Sequence, residues 1–242
     1  MKTSNLLIVL SVTSYLLFKG SQAVVISNAI KKQPAYQASF SEVKIGKPML
    51  LPTFQYVRIE GGFATLQFGE QFFINQAPNL KNTRVWNYQV ISDTLNITSS
   101  YDFFDTNSPN DYIITLPLVK AVTVAGSTLI IHEMNVPQLQ LFISGIPQQQ
   151  MKTSKGNSFV GNQKSTVHVK EGSIQNLSIT TENQGIIVLN KGVTIQHLDL
   201  TVRKNGKFSA FGSTLGEVKT SLDSTAELTL QGRSLKYFMK AF

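Results

Sequence analysis

The stretch Gly192–Gly212, GVTIQHLDLTVRKNGKFSAFG, carries the pattern that decides the fold. Leu198, Leu200 and Val202 alternate with Asp199 and Thr201. Successive side chains of a strand point to opposite faces, so this run has one apolar and one polar face. Arg203–Gly206 reads as a turn and Phe208–Phe211 as a second strand. The unit is therefore strand, turn, strand, and it is bounded by glycines 20 residues apart.

The same interval continues outward from that unit. Gly172, Gly192, Gly212 and Gly232 are evenly spaced, and each is followed by two apolar residues three apart. These pairs are Ile174 and Leu177, Ile195 and Leu198, Leu215 and Val218, and Leu235 and Phe238. Leu116 with Val119 and Val136 with Leu139 show the same spacing upstream. The column Val119, Leu139, Leu177, Leu198, Val218, Phe238 advances by 20, 38, 21, 20 and 20 residues. The long step reads as two coils, with Phe159 near the place of the unseen one. A second column, Gly185, Gly206 and Ala226, marks corners where glycine supplies backbone angles that side chains disfavour.

A period of about 20 residues signals a stacked repeat architecture, because each unit has an inward face it cannot bury alone. A leucine-rich repeat would place its asparagine ladder at 182, 203 and 223, where this chain has Glu182, Arg203 and Asp223. A β-sandwich gives a similar local pattern of short strands and turns and is the other competing architecture. The expected fold is all-β: a single-stranded right-handed parallel β-helix, or β-solenoid, with coils of about 20 residues, clearest over 116–238 and preceded by an N-terminal β segment. That segment includes Val57 and Ile59, then Ala64, Leu66 and Phe68 after Gly61-Gly62. Phe72–Ile74, Val85–Val90, Leu95–Ile97 and Tyr112–Leu116 continue the strand pattern. No helical period with caps follows the leader.

Residues 1–23 read as a secretory signal peptide. Lys2 precedes the apolar run Leu6–Phe18, and Ser21-Gln22-Ala23 puts small residues at the −3 and −1 positions for cleavage after Ala23. The run is shorter than the roughly 20 residues of a spanning helix. Residues 24–40 read as a linker or first edge, and 41–242 as one head domain. The chain is thus expected to be exported to the periplasm, outer surface or extracellular space, with no later membrane-spanning segment. It contains no cysteine, which excludes disulfides, thiolate metal sites, cysteine nucleophiles and a lipidated cysteine. Its charged fraction is only 15%.

Beyond the repeat, the chain resembles the auto-transporter adhesin head domain family, also called the head GIN domain, of exported Bacteroidetes-type proteins. Three stretches carry the resemblance: Phe54–Leu66 (FQYVRIEGGFATL), Leu95-Asn96-Ile97, and the Leu-x-Leu repeats punctuated by Gly and Ser. Gly62-Phe63-Ala64 stands where the family has a Gly, apolar, Asn-or-Asp triplet, so its third position differs. The family's Ser-Gly turns survive best as Ile143-Ser144-Gly145 and Ala125-Gly126-Ser127. The resemblance implies a β-helix-like head in the envelope or outside the cell, without catalytic residues.

Candidate chemistry is sparse. His132, His168 and His197 fall at different places in the repeat, so no shared metal face is expected. Asp102, Asp105 and Asp111 sit in one polar loop, where paired carboxylates serve acid–base or calcium-dependent sugar chemistry and solvated turns are the ordinary alternative. Asp199 and Asp223 lie about one coil apart but are offset in the repeat frame. Trp86, Phe159, Phe208 and Phe211 are candidates for core filling or for a sugar-stacking platform. Asn96-Ile97-Thr98 and Asn176-Leu177-Ser178 match glycosylation sequons.

The formal charge of +8 becomes +6 without the leader's Lys2 and Lys19, and that surplus lies beyond residue 150. Lys152, Lys155 and Lys164 belong to this basic half, and Lys170, Lys191, Arg203, Lys204 and Lys207 form the candidate edge for an anionic glycan or lipid headgroup. Lysines that simply keep strand edges soluble are the alternative. No cofactor is implied, and nucleic acid is not an expected partner for an exported chain without interleaved aromatic and basic residues. Partners remain open, with surface glycans and envelope components as the classes considered. The expected function is a non-enzymatic, adhesin-like binding or structural module. The alternative is a β-helix carbohydrate-active enzyme, a polysaccharide lyase or hydrolase.

Overall fold

Alternation of aliphatic and polar residues dominates the chain, and in the computed structural model it produces strands almost throughout. The structure describes residues 41–42, 48–76, 86–99, 112–152 and 158–238. The expected leader and linker, and Asp102, Asp105 and Asp111, lie outside the described residues. In chain order, β1 (Ser41–Glu42), β2 (Met49–Leu50), β3 (Tyr56–Glu60), β4 (Phe63–Phe68) and β5 (Phe73–Gln76) come first. A hairpin of β6 (Trp86–Ile91) and β7 (Thr94–Ser99) follows, then β8 (Tyr112–Leu116), β9 (Ala121–Ala125), β10 (Thr128–His132) and β11 (Met134–Ser144). A second hairpin, β12 (Ile146–Lys152) and β13 (Ser158–Gln163), precedes two long strands, β14 (Ser165–Glu182) and β15 (Gly185–Val202). β16 (Lys207–Phe211), β17 (Thr214–Leu222), β18 (Glu227–Gln231) and a short helix, α1 (Arg233–Phe238), complete the order.

Sixteen of these strands form one mixed sheet, and its parallel part runs as two ladders. The first ladder stacks β7, β3, β9 and the C-terminal parts of β11, β14 and β15, and ends on β17. The second stacks β8, β4, β10 and the N-terminal parts of β14 and β15, and ends on β16 and β18. Antiparallel strands close the other end, with β6 and β1 on the first ladder and β5 and β2 on the second. The sheet curls so that both ladders turn their apolar faces to one core. Leu139, Leu177, Leu198 and Val218 are successive partners in that core. Each buried leucine there contributes about 1.5–3 kcal/mol relative to exposure.

The register corrects four details of the sequence reading. Leu139 pairs directly with Leu177, so the 38-residue step is one strand spacing and not two. The excess is the β12–β13 hairpin, which pairs only with itself among the described residues, and Phe159 lies in it opposite Met151. Val119 precedes β9 and Phe238 ends α1; both are buried, but neither pairs in the leucine ladder. Residues 233–238 are therefore helical where a strand was expected, and Ser234 and Phe238 turn into the end of the core. Finally, a slip between Val169 and Glu171 puts Gly192 opposite Glu171 and Gly172 opposite Val193, so the evenly spaced glycines are not mutual partners there.

The turns joining the first ladder to the second are short. Asn183 and Gln184, then Lys204 and Asn205, take positive φ values of 51° and 66°, and 52° and 62°. Two successive left-handed residues make the tight turn that lets the chain reverse its path in two steps. Asn183 donates to the hydroxyl of Ser144 at 3.1 Å, and Ser165 donates to the Ser144 carbonyl at 2.6 Å. Side chains thus link successive turns along the stacking direction.

Candidate functional site

The apolar pairs three residues apart mark a bend in each long strand. Ile195 and Leu198 both point inward, while Gln196 and His197 between them are exposed. Val136 and Leu139, Ile174 and Leu177, and Leu215 and Val218 repeat that arrangement on the neighbouring strands. Two consecutive outward residues at every strand leave a strip of side chains that owe nothing to core packing.

Register lines this strip into two rows. Gln138, Asn176, His197 and Glu217 are successive partners, and Gln140, Ser178, Asp199 and Lys219 are the next row along the strands. Between the rows runs an open groove of about 330 Å³ that crosses β11, β14, β15 and β17 and is floored by Leu139, Leu177 and Leu198. At a strand spacing of about 4.8 Å, four strands give it a length of roughly 14 Å. His197 Nδ1 lies 3.1 Å from Glu217 Oε2, and Lys219 Nζ lies 3.9 Å from Glu217 Oε1. Asn176 Nδ2 donates to the Pro137 carbonyl at 3.4 Å. The groove combines amides, a hydroxyl, an imidazole, two carboxylates and an ammonium, with no strong excess of either sign. Phe142, on β11 one alternation beyond Gln140, is 43% exposed on the same outward face but does not line the groove.

The five candidate basic residues do not cluster at one point. Lys170 and Lys191 sit at one end of the second ladder's strands, and Gly212 packs next to Lys191. Arg203, Lys204 and Lys207 sit at the other end, about 17 Å away across a five-residue strand. Arg203 Nε and Lys204 Nζ lie 3.0 and 3.3 Å from the same Glu182 oxygen, and Lys207 pairs with Glu227. Three of the five therefore already hold a carboxylate. Asp223 accepts the Lys204 N–H at 2.7 Å and the Thr225 hydroxyl at 2.7 Å. Those two bonds, the Lys204 one foremost, lower its pKa below the ordinary carboxylate value. A second groove along this turn column, also about 330 Å³, is lined by Lys164, Gln184, Ile186, Asn205, Lys207, Thr225 and Glu227.

Against the expectation of separate faces, His132 and His168 both point outward on the paired strands β10 and β14, one alternation apart. His132 ends β10 and His197 lies in the groove, whereas His168 is half-buried on the outer face of β14. Burial, followed by the nearby Lys170 charge, lowers the His168 pKa. Among the described residues no three His, Asp or Glu side chains converge to hold a metal ion, and no helix is long and apolar enough to cross a membrane. Phe208 is core, packed 6.0 Å from the Phe238 ring, while Phe211 is 36% exposed. The side chains of Trp86 and Phe159 lie outside the described set. Sequence reasoning passed over Gln138, Glu217 and Lys219; only alternation along the strands marked them as outward.

No protein-family model matches this chain, and no curated protein matches it. Solved structures with similarity include a "putative adhesin" from Bacteroides fragilis, at 10% identity and a TM-score of 0.43, covering 77% of this chain and 92% of that one. A second "putative adhesin", from Parabacteroides merdae, is 10% identical with a TM-score of 0.32 over 81% of this chain and 98% of its own. A "putative lipid binding protein" from Parabacteroides distasonis is 8% identical with a TM-score of 0.32, covering 77% and 93% respectively.

Proposed function

We propose that the chain is an exported, non-enzymatic β-solenoid that serves as an adhesin-like binding module at the cell surface or in the envelope. In this reading residues 1–23 are a cleaved leader, 24–40 a linker and 41–242 the head. Partners 20 or 21 residues apart along β14, β15, β16, β17 and β18 support a coil of that length. The usual hand of parallel crossovers supports a right-handed path. The observation that carries the functional part is the groove across four parallel strands, whose polar rows offer many shallow contacts and no enclosed pocket.

The second reading, a carbohydrate-active enzyme, draws on Asp199, Glu217 and Lys219 lining that same groove. Acid–base chemistry on a glycosidic bond gains from a water-excluded site, and here Glu217 is 58% and Lys219 76% exposed. Binding is therefore the better account. Retention of the full chain on isolated envelopes and immobilised glycans, at low and high salt, tests it. Retention that falls on Asn176→Ala with His197→Ala supports the groove. Retention that is salt-sensitive and falls only on charge reversal of Arg203, Lys204 and Lys207 transfers the role to the basic residues. Turnover of a polysaccharide that vanishes in Asp199→Asn or Glu217→Gln overturns the non-enzymatic reading.

A further inference from the structure

We infer that the groove takes an uncharged, extended carbohydrate chain lying along the stacking direction, across the strands and not parallel to them. The inference rests on the binding reading above and narrows it to one ligand class.

Three other occupants fit less well. An anionic ligand meets the carboxylates of Asp199 and Glu217, and a cationic one meets the Lys219 ammonium. A polypeptide strand docks by adding to an unpaired main-chain edge. β14 and β15 are already hydrogen-bonded to strands on both sides, so the centre of the groove offers no such edge. A lipid tail calls for an enclosed apolar channel, and this groove is open, with Asn176, Asp199, Glu217 and Lys219 interrupting its leucine floor.

A polyhydroxylated chain meets what remains. Carboxylates and side-chain amides accept from and donate to neighbouring hydroxyls, and Asn176, His197 and Glu217 present such groups at successive strands. Their interval of about 4.8 Å is close to the advance per sugar of an extended β-linked chain. The hydrogen-bonding groups therefore stay in phase with the ligand over about three to four units.

Calorimetric titration of the full chain with neutral β-1,4-linked gluco-, N-acetylglucosamino- and manno-oligosaccharides of increasing length tests the inference, with heparin-derived oligosaccharides as the anionic comparator. Affinity is expected to rise with length and level off at about four units. It should be the same at low and high salt, and fall several-fold in Asn176→Ala and again in His197→Ala. Circular dichroism on each variant separates lost binding from lost folding. Preference for the anionic series, or neutral binding indifferent to both substitutions, overturns the inference. Envelope retention that depends on the groove while no neutral series binds sinks the carbohydrate assignment and leaves the binding reading standing. Loss of both removes both.

Discussion

Gly185 and Gly212 occupy two glycine columns of the sequence for different physical reasons, and exchanging each for alanine separates them. A Cβ at Gly185 would fall 2.3 Å from the carbonyl oxygen of Ile143 and 2.8 Å from its carbonyl carbon. Both are main-chain atoms of β11, a strand held by parallel neighbours on both sides, so they cannot swing away. Restoring an ordinary contact of about 3.5 Å means parting the chains by about 1 Å. Overpacking of that kind costs about 1–3 kcal/mol, and one or two loosened hydrogen bonds add about 1 kcal/mol each. Gly185→Ala should therefore lose about 2–5 kcal/mol. At Gly212 the constraint is φ, at +76°, while the added Cβ meets nothing nearer than Lys191 Cγ at 3.6 Å. A left-handed alanine costs about 1–2 kcal/mol, offset by about 0.4–1 from a less flexible unfolded chain. The net loss is about 1 kcal/mol. With a urea m-value of about 2–3 kcal/mol/M, the two midpoints should differ by about 1 M, read by far-ultraviolet circular dichroism. Equal midpoints, or a lower one for Gly212→Ala, would refute close approach as the reason for glycine at 185.

Three further outcomes follow, two from the same packing and one from a titrating group. Leu177→Ala, flanked in the core by Leu139 and Leu198, should cost about 3–5 kcal/mol in urea unfolding. Val218→Ala, on the terminal strand of that ladder, should cost only about 1–2 kcal/mol. His168 binds its proton near pH 6.5 when unfolded and only at lower pH when folded, because burial and Lys170 oppose its charge. Between those values the unfolded chain holds more protons, so the stabilisation is complete above about pH 6.5 and is lost as pH falls through the folded pKa. Thermal unfolding across that range should show a shallower decline in His168→Gln than in the parent chain.

Strands and their inward faces were legible because alternation such as Leu198–Val202 is imposed by the core itself. The apolar pairs three apart were legible as a repeat, but only the exposure of Gln196 and His197 together shows them to be bends. The hairpin was not legible: β12 and β13 happen to add nearly one coil of chain between Leu139 and Leu177, which imitates a missing repeat. Nor was the placement of β3 and β4 between β7–β8 and β9–β10, since pairing Tyr56 with Ala121 leaves no periodic trace. The groove stayed hidden for a related reason. Its row joins glutamine, asparagine, histidine and glutamate, so no residue type repeats at the interval that brings them together.

That mixed row still has a geometry as fixed as the core beneath it. Strand side chains alternate with a period of two, so slipping β15 by one residue would turn Asp199 inward and Leu198 outward. The cost of exposing leucines and burying a carboxylate locks the register, and the register alone places Asn176 beside His197 and His197 beside Glu217. The site is thus positioned by Leu139, Leu177 and Leu198 from below, without loops or dedicated supporting side chains. Basic residues at the turns are positioned differently: Arg203 and Lys204 reach their carboxylate through exposed, flexible side chains, an arrangement typically worth less than about 1 kcal/mol. Charge at the turns therefore has little to hold a ligand in one orientation, while the groove inherits its orientation from the core. A cavity at Leu177 should for that reason blur the groove as well as weaken the fold, since the same leucine packs the core and floors the groove.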